Sequence, residues 1–252
     1  MRPILRLVVR DLRATLDKSS LVLQLLLPLL FLFVAGASYA SLVPPFEVDG
    51  RVIPYHQFLA LGVILVSVFS GSLIAGLLFW VDRQRGMYEQ ILVGPFTKSQ
   101  YAFSKIQSSM LASLGGAAII SLASFPILSG VSVSLPGLLT GLASIILSAV
   151  FFGAFALTVA TLVRSESAAN AAFNLALLVL MFLSTAFYPA SAAPPGVRIG
   201  ILLNPLTHAA DLLRYGVLGL ATPYLVWEGV ALSLESIAMF LIAVVSFRRL
   251  RV

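Results

Sequence analysis

Six apolar runs of membrane-spanning length constrain this chain more than any other feature. A helix needs roughly 20 mostly apolar residues to cross the hydrocarbon core of a bilayer, where every backbone amide must be satisfied within the segment. Such runs fall at about 20–43, 58–81, 103–128, 137–163, 169–188 and 224–247. A soluble domain has no core large enough for them. Of the 252 residues 60% are hydrophobic and 10% charged, with a mean hydropathy of +1.03. The runs form one polytopic unit, 1–252, and predict an all-α integral membrane protein with six transmembrane helices. The sequence has no cysteine, which excludes disulfides, thiolate metal sites and cysteine nucleophiles from it.

The net charge of +6 does not point to nucleic acid, because the basic residues flank the apolar runs and have no aromatic stacking groups among them. Their distribution sets orientation instead. Thirteen of the sixteen Lys and Arg residues fall on one side of the predicted bilayer, leaving only Arg51, Arg198 and Arg214 elsewhere. The positive-inside rule then predicts a multi-pass protein of the cell membrane with both termini in the cytoplasm.

Ahead of the first run, 1–19 places Leu5, Val8, Val9, Leu12 and Leu16 at helical spacing, with Arg2, Arg6, Arg10, Arg13 and Asp17 largely opposite. This pattern predicts an amphipathic helix lying in the membrane interface. The first run ends near Ala35–Gly36–Ala37, which mimics a signal-peptidase site. A structured leader and an even number of spans argue against cleavage there.

Between the fifth and sixth runs, 189–219 is too apolar for a solvated loop and too broken by Pro and Gly to cross the bilayer. Two short re-entrant helices fit it, one opened by Pro194 and Pro195, the other by Pro205 after Asn204 as N-cap. Asp211 and Arg214 stand three apart on the second and can form an ion pair.

After the second run comes a charged island, "DRQRGMYEQILVGP", at 82–95. It predicts a cytoplasmic helix over 82–96 with a two-signed polar face, an Arg85–Glu89 pair at i,i+4, and a stop at Gly94–Pro95. An alternative pairs Glu89 with an arginine of the N-terminal helix.

The order of residues in the island resembles the permease subunits of type-2 ABC exporters, a group that includes nodulation-factor and daunorubicin-resistance permeases. The matching positions are Asp82, Arg83, Arg85, Gly86, Glu89, Gln90, Val93 and Pro95, with Met87 where that family usually has Thr. A second resemblance follows the fifth run, in "FYPASAAPP" at 187–195 and "LNPLTHAADLLR" at 203–214. The resemblance implies that Asp82, Arg83, Arg85, Gly86, Glu89, Gln90 and Pro95 form a coupling helix on a separate ABC ATPase subunit. It further implies an outer gate containing Pro189, Asn204, Pro205, His208, Asp211 and Arg214. Two ATPase copies, a second permease copy as homodimer or heterodimer, and outward movement of an amphipathic substrate follow from the same likeness.

No phosphate-binding loop is present: Lys18 follows Asp17, Lys98 follows Thr97 and Lys105 follows Ser104, so no G-K-[ST] occurs. ATP and magnesium are therefore expected on the partner subunit and no cofactor on this chain. An intramembrane enzyme has no support, since His56 and His208 are the only histidines and neither H-E-x-x-H nor G-x-S-x-G occurs.

Glu235, near the middle of the sixth run, is a costly intramembrane carboxylate with Glu228 two turns earlier on the same face. It can be a paired structural group, a lining residue of the translocation path together with Asn174, or a proton relay. The last reading keeps a proton-coupled secondary transporter as an alternative, and a non-transporting membrane scaffold shares the same hydropathy. Ser67, Gly71 and Ala75 in the second run, and Gly137 with Gly141 in the fourth, predict close helix packing.

Overall fold

The computed structural model describes residues 2–15, 18–36, 38, 44–48, 51–94, 96–128, 131 and 133–250. Leu16 and Asp17 of the amphipathic pattern, Ala37 of the apparent cleavage site, the end of the first run at 39–43, Pro95 and Arg251 lie outside these residues.

Helix α1 (Arg2–Thr15) lies against the start of α6. Helix α2 (Lys18–Leu30) carries Pro28 in its interior and widens into a π turn at Phe31–Ala35. Such widening is a usual companion of a missing amide donor. The second run is a rod of two helices, α3 (Tyr55–Ser72) and α4 (Ile74–Gln84), offset at Leu73. After α5 (Met87–Val93) follow α6 (Lys98–Ser124), α7 (Leu135–Leu162) and α8 (Glu166–Phe182). Two short helices, α9 (Pro195–Leu202) and α10 (Pro205–Leu218), precede α11 (Leu225–Arg249).

Side-chain caps explain several starts. Thr97 Oγ1 accepts from Gln100 N at 3.2 Å while Gln100 Oε1 accepts from Thr97 N at 3.0 Å, a reciprocal box at the head of α6. Ser134 and Ser165 accept from Gly137 N and Ala168 N at the heads of α7 and α8.

Among the described residues, four segments are long and apolar enough to cross a membrane: Tyr55–Gln84, Lys98–Ser124, Leu135–Leu162 and Leu225–Arg249. Leu25–Val34 and Glu166–Phe182 are shorter apolar helices. The expected span at 169–188 stops early for a visible reason. Asn204 donates its amide to Leu180 O at 2.8 Å and Leu183 O at 2.6 Å, so the last carbonyls of α8 are satisfied by a side chain rather than by further helix.

The rod α3–α4 is the most enclosed element, surrounded by α6, α7 and α10. Its Leu59, Leu61, Leu65, Val68 and Phe69 are buried, and the Phe69 ring meets Phe152 of α7 edge-on at 4.6 Å. The small-residue face at the start of α7 has a definite partner. A Cβ on Gly216 would stand 2.6 Å from Gly137 O, so α7 and α10 touch backbone to backbone only because both positions are glycine.

Among the described residues, one hairpin departs from the all-α expectation. Phe46–Val48 and Arg51–Ile53 pair antiparallel as β1 and β2, with Glu47 opposite Val52. The Asp49–Gly50 dipeptide between two short alternating stretches is the sequence signal for this hairpin.

Candidate functional site

Four contacts gather α1, the end of α4, the start of α6, the start of α8 and the end of α11 at one end of the bundle. They are Arg10 Nη2 to Asp82 Oδ2 at 2.7 Å, Gln84 Nε2 to Glu166 Oε2 at 2.7 Å, Lys98 Nζ to Leu250 O at 2.5 Å, and Arg248 Nε to Ser99 Oγ at 2.8 Å. The hairpin, α9 and α10 occupy the other end.

At the first end four charges form a closed cluster. Arg10 Nη2 lies 2.6 Å from Asp11 Oδ1 as well as 2.7 Å from Asp82 Oδ2. Lys105 Nζ sits 3.0 Å from Asp11 Oδ2 and 2.6 Å from Asp82 Oδ2, and the Tyr101 hydroxyl donates to Asp82 Oδ2 at 2.6 Å. Asp11, Asp82 and Lys105 are buried, so two carboxylates and two cations neutralise each other away from water. Burial alone disfavours the charge on Arg10, but Asp11 and then Asp82 outweigh it and raise its pKa above the ordinary value.

This cluster corrects two expectations for the island. It is not one helix over 82–96: Asp82 and Arg83 end α4, and Gly86 adopts a left-handed conformation, φ 64°, that separates them from α5. With that break between them, Arg85 and Glu89 form no ion pair, and the arginine of α1 pairs with Asp82 rather than Glu89. Nor is the outward face two-signed. Arg83, Arg85, Gln90 and Val93 are exposed, whereas Asp82 is buried and Glu89 half-buried with its Oε2 unbonded. The outer surface is cationic and the acids are turned inward.

Helix α5 is anchored by Tyr88, whose ring packs edge-on against Phe79, Tyr101 and Phe247 at 5.6, 5.4 and 5.8 Å. Burial first, and the Glu89 carboxylate second, push the Tyr88 phenol above its usual range against the opposing charge of Arg83. Met87 touches α1 directly, its Sδ 2.8 Å from Arg10 Nη1.

At the opposite end Asn204 caps α10, its Oδ1 accepting from Leu206 N at 2.9 Å, with Pro205 in the first turn. Asp211 Oδ1 receives Thr185 Oγ1 at 2.9 Å and Arg214 Nη1 at 3.0 Å, forming the pair expected from their spacing. Arg214 is buried, donates from Nη2 to Ala186 O at 3.0 Å and lies 3.6 Å over the Phe58 ring. Pro189 joins Asp211, Arg214 and Thr185 around a cavity of about 260 Å³. His208 bridges Leu202 O at 2.9 Å and Glu235 Oε2 at 3.2 Å, and Glu228 accepts from Thr222 Oγ1 at 2.9 Å. Asn174 is exposed on α8, away from this network.

Sequence reasoning missed Asp11, Tyr101, Lys105 and Thr185. Asp11 had a signal: it follows Leu7 and Val8 by four and three positions, on the stripe that packs against α6. Lys105 stands inside an apolar run, where a cation needs a partner.

These features define a helical, multi-pass membrane protein whose spans are tied by ion clusters to short helices at both ends. The chain belongs to the ABC-2 type transporter family, whose model matches residues 3–218. It is similar to the transport permease ycf38 of Cyanophora paradoxa, 25% identical over 197 residues covering 78% of this chain and 67% of that protein. It is also similar to nodulation protein J of Rhizobium meliloti (strain 1021), 26% identical over 200 residues covering 76% and 71%. The chain is a transmembrane transport subunit of a family that generally works with an ATP-binding subunit and is generally not itself catalytic.

Proposed function

We propose that this chain is the permease of an ABC exporter that moves an amphipathic molecule, such as a lipid-linked saccharide, a lipid or a hydrophobic drug, outward across the cell membrane. Six spans per chain, both termini in the cytoplasm, two permeases and two ATPase subunits complete the reading, with ATP and magnesium held by the ATPase. The observation that carries it is the joint at Gly86. Exposed Arg83, Arg85, Gln90 and Val93 offer a partner a handle, and Asp82, one residue before that handle, is bonded to both α1 and α6. A push on α5 therefore reaches the interfacial helix and two spans together.

Asp82, Arg83, Arg85, Gly86 and Gln90 then divide into roles: Asp82 braces, Gly86 bends, and Arg83, Arg85 and Gln90 make contact, while Glu89 and Pro95 complete the coupling segment. Asn204, Pro205, His208, Asp211 and Arg214 close the outer end, with Pro189 at the rim. Glu235, hydrogen-bonded to His208, joins that closure.

The test is to purify the tagged chain gently from its native membrane beside an Arg83→Glu, Arg85→Glu variant. An ATPase copurifying at equal stoichiometry, and lost or uncoupled in the variant, supports the reading. Absence of any ATPase under conditions that preserve other membrane complexes sinks it.

A further inference from the structure

A lateral groove of about 500 Å³ runs between α6 and α7 on the hairpin half of the bundle. Ile64 of α3 forms its floor, Ala118 and Leu122 of α6 one wall, Gly141 and Leu142 of α7 the other, and Val217 of α10 closes its end. Ala117, Ala118, Ser121, Gly137 and Gly141 leave the space between the larger side chains of its walls. Its rim is apolar and open, with Leu122 75% and Leu142 46% exposed on two helices long enough to cross the bilayer.

A second observation concerns the end that Val217 closes. Arg51, exposed on β2, donates to Leu218 O at 3.3 Å, the residue next to Val217. A cation thus stands one residue along α10 from the Val217 end of the groove, on the hairpin side, where a lipid phosphate would find a counter-charge if α6 and α7 cross the bilayer. Long apolar slot and terminal cation together match one shape: a phosphate with a hydrocarbon chain attached. A second copy of the chain fits less well, since a two-fold contact needs a self-complementary patch and two concave slots do not fill each other.

We infer that this groove is a binding site for one phospholipid of the bilayer, with an acyl chain along α6 and α7 and the phosphate on Arg51. A seated chain lies against α6 and α7 together, so site occupancy bears on how these two spans pack. The inference rests on the chain being membrane-embedded and not on its substrate or its ATPase.

The full chain, reconstituted in nanodiscs of phosphatidylglycerol and phosphatidylethanolamine doped with a diazirine-acyl phosphatidylglycerol, is irradiated and its labelled peptides are mapped. Labelling is expected to concentrate on 114–122 and 137–145. Ala118→Trp, at an exposed wall position, fills the slot and should lower that labelling at least about fivefold, and Arg51→Gln should lower it by a similar factor. Ala171→Trp on the exposed face of α8 should leave it unchanged, which separates loss of the site from misfolding. Labelling spread evenly over all lipid-facing helices, or labelling unaffected by Ala118→Trp or by Arg51→Gln, would each overturn the assignment.

Discussion

Lys105 Nζ lies 2.6 Å from Asp82 Oδ2, and no part of the lysine side chain reaches the surface. Removing one member of a buried pair leaves the other charge uncompensated, at a cost of about 3 kcal/mol or more. Lys105→Met should therefore lower the thermal stability of the purified chain strongly. Adding Asp82→Asn to it should recover much of the loss, a coupling read from a double-mutant cycle. Additive effects of the two changes would show that the pair is not a unit.

At Gly86 a Cβ would meet nothing within 4 Å, so any penalty there is purely conformational. The left-handed backbone, φ 64°, disfavours an ordinary L side chain by about 1 kcal/mol and a β-branched one by more. Gly86→Asn should be tolerated and Gly86→Val should distort the junction of α4 and α5. The expected readout is an unchanged yield with partner-dependent ATP hydrolysis impaired only in the valine variant.

Asn204 performs two jobs that substitution can separate. Asn204→Asp keeps the acceptor for Leu206 N but loses both donors to Leu180 O and Leu183 O, whereas Asn204→Ala loses all three bonds. The cap alone contributes about 1 kcal/mol. Hydrogen exchange should quicken at 180–186 in both variants and within the first turn of α10 only in the alanine variant. Equal protection of 180–186 in wild type and Asn204→Asp would contradict the stapling role.

The Gly137–Gly216 contact predicts an asymmetry among glycines. Gly216→Ala puts a Cβ 2.6 Å from the backbone oxygen of Gly137, forcing α7 and α10 apart, while Gly200→Ala meets nothing within 4 Å. The first change should lower the temperature of unfolding and the second should leave it near wild type or raise it slightly. The same temperature for both variants would mean that the two helices are not in backbone contact.

Much of this architecture follows from local rules that act within a few residues. The apolar runs, the amphipathic repeat of α1, the proline-led starts of α9 and α10, the Asn204 cap and the Asp211–Arg214 pair are all legible because spacing, caps and ring constraints need no knowledge of distant chain. The pairing of Asp82 was not legible, since its partners Arg10 and Lys105 lie 72 and 23 positions away and become neighbours only when α1 docks on α6. Nor was the sign of the island's outer face. The stretch from Asp82 to Glu89 admits a helix with Arg85 beside Glu89 until the turn at Gly86 rotates one half against the other. Periodicity determines which face of a helix is apolar, but which charge on the opposite face finds a buried partner depends on the helix that packs there, and only the tertiary structure decides that.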